Sequence, residues 1–385
     1  MRRMFTLVLF LLCATSTLHA DAAPYLHRLA NQVVQWHGEL NAMNASAQRA
    51  AEGVIAGGTI YATGPQPGFM SEASGRAGGL MMLEPYESTL ELSTRDTILA
   101  AISHKNQLTE ITALFEHAAK TGAQIVLFDA QGLAETDETV ARFPGDAFAS
   151  SDGVPVTSMS NVAGMWAWTG KLVAACVQRG MMPCVYQSYA IPDGRARAEY
   201  LRRHDDARFH AMSSINPASA DTAGERYLDI IAASLREAMR CNESAFPRAA
   251  ELLRASLDDS QTITLHARGH LYPAEFEHPH QPAGFVPAQQ AGKDAPLGAA
   301  LILWYQDFPW QMVSELQQAG RPIVLTCSQS PLATFTGEPQ HVYINPVWPI
   351  EDGVVELEGY DVPLFPASGL MDTAIYWQLI ELATQ

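Results

Sequence analysis

Residues 64–80 read GPQPGFMSEASGRAGGL. They follow an apolar run, Thr59-Ile60-Tyr61-Ala62, and lead into a segment with helical spacing at 70–77. A strand, a tight Gly turn and a helix N-terminus form an anion or sugar cradle in many α/β proteins, because backbone N–H groups and the helix dipole converge there.

The same grammar recurs outward from this stretch. Residues 25–56 read as helix and 58–62 as strand. Residues 97–102 read as strand, 108–121 as helix, 124–128 as strand, 162–179 as a long apolar helix and 183–187 as a closing strand. Helices between short apolar strands imply a parallel sheet covered on both faces. After a polar stretch the pattern returns, with helix over 227–257, strands at 261–267, 299–304 and 322–326, and helices at 310–319 and 370–383. Short alignments tie the halves together. Gly122-Ala-Gln-Ile-Val-Leu parallels Gly320-Arg-Pro-Ile-Val-Leu, and Val154-Pro155-Val156 with Ser160 parallels Val362-Pro363-Leu364 with Ser368. The reading is two divergent copies of one α/β unit, over 21–203 and 225–385, joined by a linker at 204–224.

The N-terminus carries Arg2 and Arg3, an apolar run from Met4 to Ala14, and Leu18-His19-Ala20. This has the form of a secretory leader cut after Ala20. The apolar run is too short for a membrane span, so the expected location is periplasmic or secreted. The chain holds 24 Lys and Arg against 41 Asp and Glu, a formal charge of −17. Such acidity argues against nucleic acid or an anionic membrane as partner. Beyond the leader the cysteines are Cys176, Cys184, Cys241 and Cys327, without metal-ligand spacing. Disulfides and buried thiols both remain open, and no metal or other cofactor is expected.

Five ordered motifs over 25–203 resemble the sugar isomerase (SIS) superfamily. They are the loop 64–80 with its Arg76-Ala-Gly-Gly-Leu80, the turn Ser103-His104-Lys105-Asn106, the segment Phe143-Pro-Gly-Asp-Ala147, the helix start Ser160-Asn-Val-Ala-Gly164, and Pro183-Cys-Val-Tyr-Gln-Ser188. Two such units in one chain also resemble the isomerase half of glucosamine-phosphate synthase. The resemblance implies tandem flavodoxin-type α/β/α sandwiches with parallel sheets and a carbohydrate ligand. An oligomer of identical chains is left open. It also implies either isomerase or lyase chemistry, or a binding or sensory protein that kept the fold without the chemistry. A structural or interaction module is a third reading. The family loop holds phosphate with hydroxyls and backbone N–H groups. Here Pro65 and Pro67 remove two N–H donors, so phosphate binding in the family manner is not expected.

The resemblance places Glu72 as an acid/base, with His104 and Lys105 assisting at a βα turn. Gly64, Gln66, Arg76, Ser103 and Ser160 are the expected ligand contacts in the first unit. Arg268, His270 and Glu275 are those in the second. Trp166 and Trp168 read as core. Trp304, Tyr305 and Trp310 read equally as a carbohydrate platform or as packing.

Overall fold

The computed structural model describes residues 23–130, 132–136, 140–144, 156–204, 207–210, 215–276, 281–292, 295–305, 307–329, 331, 335 and 337–385. The N-terminal residues 1–22, together with Gly145 to Ala147, Val154 and Pro155, lie outside the described residues.

Strands β1 (Ile60–Thr63), β2 (Leu83–Pro85), β3 (Thr97–Ala101), β4 (Gln124–Phe128) and β5 (Val140–Phe143) form a parallel sheet in the order β2-β1-β3-β4-β5. Strands β6 (Thr262–Arg268), β7 (Phe285–Pro287), β8 (Leu297–Trp304), β9 (Ile323–Cys327) and β10 (His341–Ile344) form a second parallel sheet. Its order from one edge is β7-β6-β8-β9-β10, the order of the first sheet with β6 to β10 standing for β1 to β5. A short antiparallel pair, β11 (Gly353–Val355) and β12 (Leu364–Pro366), completes the strands. The helices are α1 (Pro24–Gln35), α2 (Leu40–Ile55), α3 (Phe69–Ala73), α4 (Leu108–Thr121), α5 (Thr157–Val177) and α6 (Gly194–His204). They continue with α7 (Pro217–Asp221), α8 (Ala223–Cys241), α9 (Ala245–Asp258), α10 (Tyr272–Glu275), α11 (Trp310–Gln318) and α12 (Ser368–Thr384). The architecture is α/β.

Alternation along the strands builds the layers. Leu99, Ala101, Val126 and Phe128 face one core, while Ile98, Ala100, Ile125 and Leu127 face another that α4 covers with Ile111, Leu114 and Ala118. The second sheet repeats this, with Leu301, Leu303 and Val324 facing inward and Ala300, Ile302 and Leu325 meeting Val313 and Leu316 of α11. The inward faces of both sheets belong to one contiguous core that contains α1, α2, α5, α8, α9 and α12. Two of these helices explain why. Every residue of α5 is buried, and α12 is buried from Ser368 to Glu381. A helix buried on every side has no face turned to water, so both sheets pack around it. The N-terminal helix α1 is tied to the far end of the chain. Gln378 accepts from the Leu26 N–H at 3.2 Å, and Arg28 pairs with Glu381 at 2.8 Å.

Several local expectations change. The helix over 25–56 is two helices with a 3₁₀ turn at Trp36–Glu39. The helix over 227–257 breaks at Asn242, whose side chain donates to Asn345 O and accepts its N–H. Among the described residues, 183–187 form no ladder strand and make two isolated bridges, Leu80 to Val185 and Pro183 to Phe209. The polar stretch 204–224 contains α7, which buries Ala220. Cys176, Cys184 and Cys327 are buried thiols and Cys241 is an exposed one. Among the described residues no helix is long and apolar enough to cross a membrane.

Candidate functional site

The stretch 64–80 forms the seam between the two halves. Ser71 Oγ donates to His270 O at 2.9 Å, and His270 Nδ1 donates to Ser71 O at 3.2 Å. Gly78 O accepts from Phe365 N at 2.9 Å, and Gly78 N donates to Tyr186 O at 2.7 Å. A Cβ on Gly78 would sit 2.7 Å from Phe365 N, and its φ is +77°, so the approach requires glycine. Arg76 is the centre of the seam. Its NH2 nitrogen donates to Asp352 Oδ2 at 2.9 Å and Ser368 Oγ at 2.8 Å, while its Nε lies 3.4 Å from Glu72 Oε2. Asp352 Oδ1 accepts the N–H groups of Ala367 and Ser368 and so caps α12.

Glu72 is fully buried, and its carboxyl faces the indole N–H of Trp166 on α5. Burial pushes its pKa up to about 7. The Arg76 charge opposes this, and the Asp352 charge adds to it. Glu275 stands in the corresponding place of the second half. Burial likewise raises it to about 7, and Trp377 Nε1 donates to its Oε2 at 3.0 Å. The correspondence is geometric. Glu72 abuts Gly369, the second residue of α12, and faces Trp166 of α5. Glu275 faces Ser158, the second residue of α5, and Trp377 of α12. Each tryptophan occupies the tenth position of its helix.

An open cleft of about 260 Å³ lies over Arg76. Its walls are Arg268, Gly269 and His270 at the carboxyl end of β6, Tyr305 at the carboxyl end of β8, and residues 75–77, 186, 187 and 189 from the first half. The chain leaves β6 for β7 on one side and then crosses to β8 on the other. The cleft therefore sits at the topological switch point of the second sheet, where open α/β folds leave a crevice. Arginine–aromatic stacks frame it, with Arg268 5.5 Å over the Trp304 ring, Arg76 5.8 Å over Tyr305, and Arg202 5.5 Å over Tyr186. Among the described residues no carboxylate pairs with Arg268. The imidazole of His270 keeps an open edge, yet the surrounding walls and then the Arg76 charge push its pKa down to about 4. It is neutral at pH 7, and because Nδ1 donates to Ser71, Nε2 is left as an acceptor.

The equivalent crevice of the first sheet, between the ends of β1 and β3, is filled from within. Gln107 Oε1 accepts the N–H groups of Ser103 at 2.8 Å and His104 at 3.0 Å, and Gln107 Nε2 donates to Pro65 O at 2.8 Å. The turn's N–H groups thus carry a side-chain carboxamide of the protein itself. Beside it a second open cavity, about 500 Å³, is lined by Gly64, Pro65, Tyr86 and α4 residues including His117 and Lys120.

Of the candidates, the cleft brings together Arg76, Arg268 and His270. Gly64 lines the second cavity. Ser103 is buried, His104 is half-buried and Lys105 is exposed, all on the turn after β3. Gln66 is buried, donating to Ser158 O and accepting from Asn161, so it anchors the start of α5. Ser160 Oγ accepts from Trp36 Nε1. Glu72 and Glu275 lie behind the cleft walls. The histidines 278 and 280 lie outside the described residues, and among the described residues no group of three metal-ligating side chains is assembled. Sequence reading missed Tyr186, Gln187, Tyr189 and Asp352. The first two sat inside a segment assigned to a strand, and Asp352 carried no motif.

No protein-family model matches the chain, and no curated protein does. Solved structures do. The chain is similar to the C-terminal domain of glucosamine-fructose-6-phosphate aminotransferase from Francisella tularensis, at 11% identity and TM-score 0.49, over 94% of this chain and 96% of that one. It is similar to a proposed tagatose-6-phosphate ketose/aldose isomerase from Clostridium novyi NT, at 10% identity and TM-score 0.48, over 94% and 90%. It is also similar to a proposed sugar-binding protein from Salmonella typhimurium LT2, at 12% identity and TM-score 0.47, over 93% and 97%. These likenesses concern the course of the backbone.

Proposed function

We propose that this chain binds a small sugar derivative carrying an anionic group, in the cleft at the carboxyl ends of β6 and β8. One observation carries the reading: Arg268, without a carboxylate partner among the described residues, stands in a switch-point crevice beside Arg76 in a chain of charge −17. The guanidinium would receive the anionic group. Tyr305 and Tyr186 supply amphipathic faces for a sugar ring, and His270 Nε2 accepts from a hydroxyl. The acid/base candidate Glu72 lies behind Arg76 and not on the cleft wall, which favours binding over proton transfer on the ligand. The leader-like residues 1–20 support export, where carboxylated sugars are more accessible than sugar phosphates.

The test is a thermal-shift comparison of glucose, glucosamine, glucuronate and glucose 6-phosphate on the full mature chain and on Arg268→Ala. A ligand that binds only the native state raises its stability by mass action. Stabilisation is expected from the anionic sugars and is expected to vanish in Arg268→Ala. Equal stabilisation by glucose, or a shift that survives Arg268→Ala, overturns the reading.

A further inference from the structure

The cleft does not end at Tyr189. The same residue also lines an adjoining open groove of about 610 Å³, whose other walls are Ala190, Ile191, Pro192, Asp193, Arg195, Ala196 and Glu199. Tyr189 is 48% exposed, and Arg195 lies 5.3 Å from its ring centroid. Among the described residues Arg195 has no carboxylate partner, while Glu199 is 4.0 Å from Arg203. Asp193 holds a left-handed turn, φ 67°, at the start of α6. A ring platform flanked by two guanidiniums, Arg195 and Arg202, and by the carboxylates of Asp193 and Glu199 has balanced charge, so it offers a second anion no net attraction. It does suit the hydroxyls of a neutral sugar, which donate to carboxylates and accept from guanidinium while the ring's C–H face lies on the tyrosine.

We propose that the groove over Tyr189 is a second sugar subsite, and that the ligand is an acidic oligosaccharide of at least two units. Its anionic unit occupies the cleft at Arg268 and its neutral neighbour lies on Tyr189, held by Asp193, Arg195 and Glu199. This rests on the cleft reading above and names the ligand class for it. Tyr189 is the physical link, since it walls both spaces.

Calorimetric titration with three probes tests it: glucuronate, cellobiose, and cellobiouronic acid, a glucuronate joined to glucose. Cellobiouronic acid is expected to bind about tenfold more tightly than glucuronate, the range of one added aromatic contact. The double variant Arg195→Ala, Glu199→Gln, altered only in the groove, is expected to bring cellobiouronic acid to the affinity of glucuronate and leave glucuronate unchanged. Arg268→Ala is expected to weaken both acids. Equal affinity of glucuronate and cellobiouronic acid for the wild type overturns the subsite while leaving the cleft reading intact. Cellobiose binding as tightly as cellobiouronic acid, unaffected by Arg268→Ala, overturns the cleft reading. No binding by any of the three overturns both.

Discussion

Glu72→Gln should stabilise the protein at alkaline pH and not at acid pH. The wild-type carboxyl is fully buried, and the Trp166 indole and the Arg76 guanidinium that face it do not offset the lost hydration. Its nearest cation, the Arg76 Nε, is 3.4 Å away, and the NH2 group of Arg76 is already engaged by Asp352 and Ser368. Desolvation of the charge therefore outweighs the attraction, and the group's pKa rises from 4.5 to about 7. A carboxyl whose folded pKa lies above its unfolded value binds its proton more tightly when folded. Its contribution is fully present below about pH 4.5, declines as pH rises, and is gone above about pH 7. The difference amounts to about 3 kcal/mol, order of magnitude, at 1.36 kcal/mol per unit. Glutamine keeps the shape and cannot ionise. Any constant effect of the amide cancels when the two proteins are compared at two pH values. Urea unfolding of wild type and Glu72→Gln at pH 5 and pH 8 measures this directly. The stability of the variant relative to wild type should be greater at pH 8 than at pH 5 by about 2.5 kcal/mol, since part of the loss has already occurred at pH 5. A relative stability that is the same at both pH values, or greater at pH 5, would refute the account of a carboxyl that resists ionisation.

Glu275→Gln should show the same sign and window, since burial also raises Glu275 to about 7, and the same urea series reads it. Asp352→Ala removes both a partner of Arg76 and the cap of α12; it should cost about 3–5 kcal/mol at pH 7, and the pH window of Glu72 should move down as Arg76 is freed. Gly369→Ala would place a methyl 2.4 Å from Glu72 Oε2, costing about 1–3 kcal/mol, and the added Glu72→Ala should restore part of that in unfolding experiments. Gln107→Ala strips the Ser103 and His104 amides of their acceptor, so it should cost about 1 kcal/mol and speed hydrogen exchange at those two amides.

The α/β class and the parallel sheets were legible because strands such as TILAA and QIVLF are apolar on both faces, which only a sheet covered on both sides satisfies. Helix breaks were less so. The stop at Asn242 depends on a tertiary partner, Asn345, that carries no local signature. The site shows the same division. Arg268 and His270 could be placed because they end a strand, where open α/β folds put their ligands. Tyr186 could not, because its segment has strand-like composition, and Tyr189, just beyond it, carried no motif; arginines set both rings, Arg202 over Tyr186 and Arg195 over Tyr189. The Arg76-Ala-Gly-Gly-Leu80 stretch reads in sequence as a family signature, with no contact assigned to its glycines. Gly78 admits the backbone at Phe365, 287 positions further along the sequence. A glycine needed for close approach looks the same in sequence whether the approaching atoms belong to a ligand or to the other half of the chain.

That ambiguity also explains why the two crevices differ. The sheets have the same strand order, so each offers a switch-point crevice with backbone N–H groups at its rim. In the first, Gln107 supplies the acceptor that a bound anion would otherwise provide, and Pro65 and Pro67 withdraw two donors from the facing loop. Binding there would require breaking internal hydrogen bonds before making external ones. In the second, the ring of Tyr305 and the guanidinium of Arg268 remain on the open wall, and Arg76 reaches across from the first half to form its floor. Asp352 neutralises Arg76 from the second half, and Glu72, raised to about 7, adds a second negative charge beside it only as pH rises. Were both acids ionised, the floor of the cleft would carry a net negative charge and repel the ligand class that Arg268 is placed to receive. The affinity of glucuronate should therefore fall as pH rises through about 7 in the wild type, and this dependence should disappear in Glu72→Gln. A wild-type affinity that is flat from pH 5 to 8 would separate the buried carboxyl from the cleft and leave it a structural feature of the seam alone.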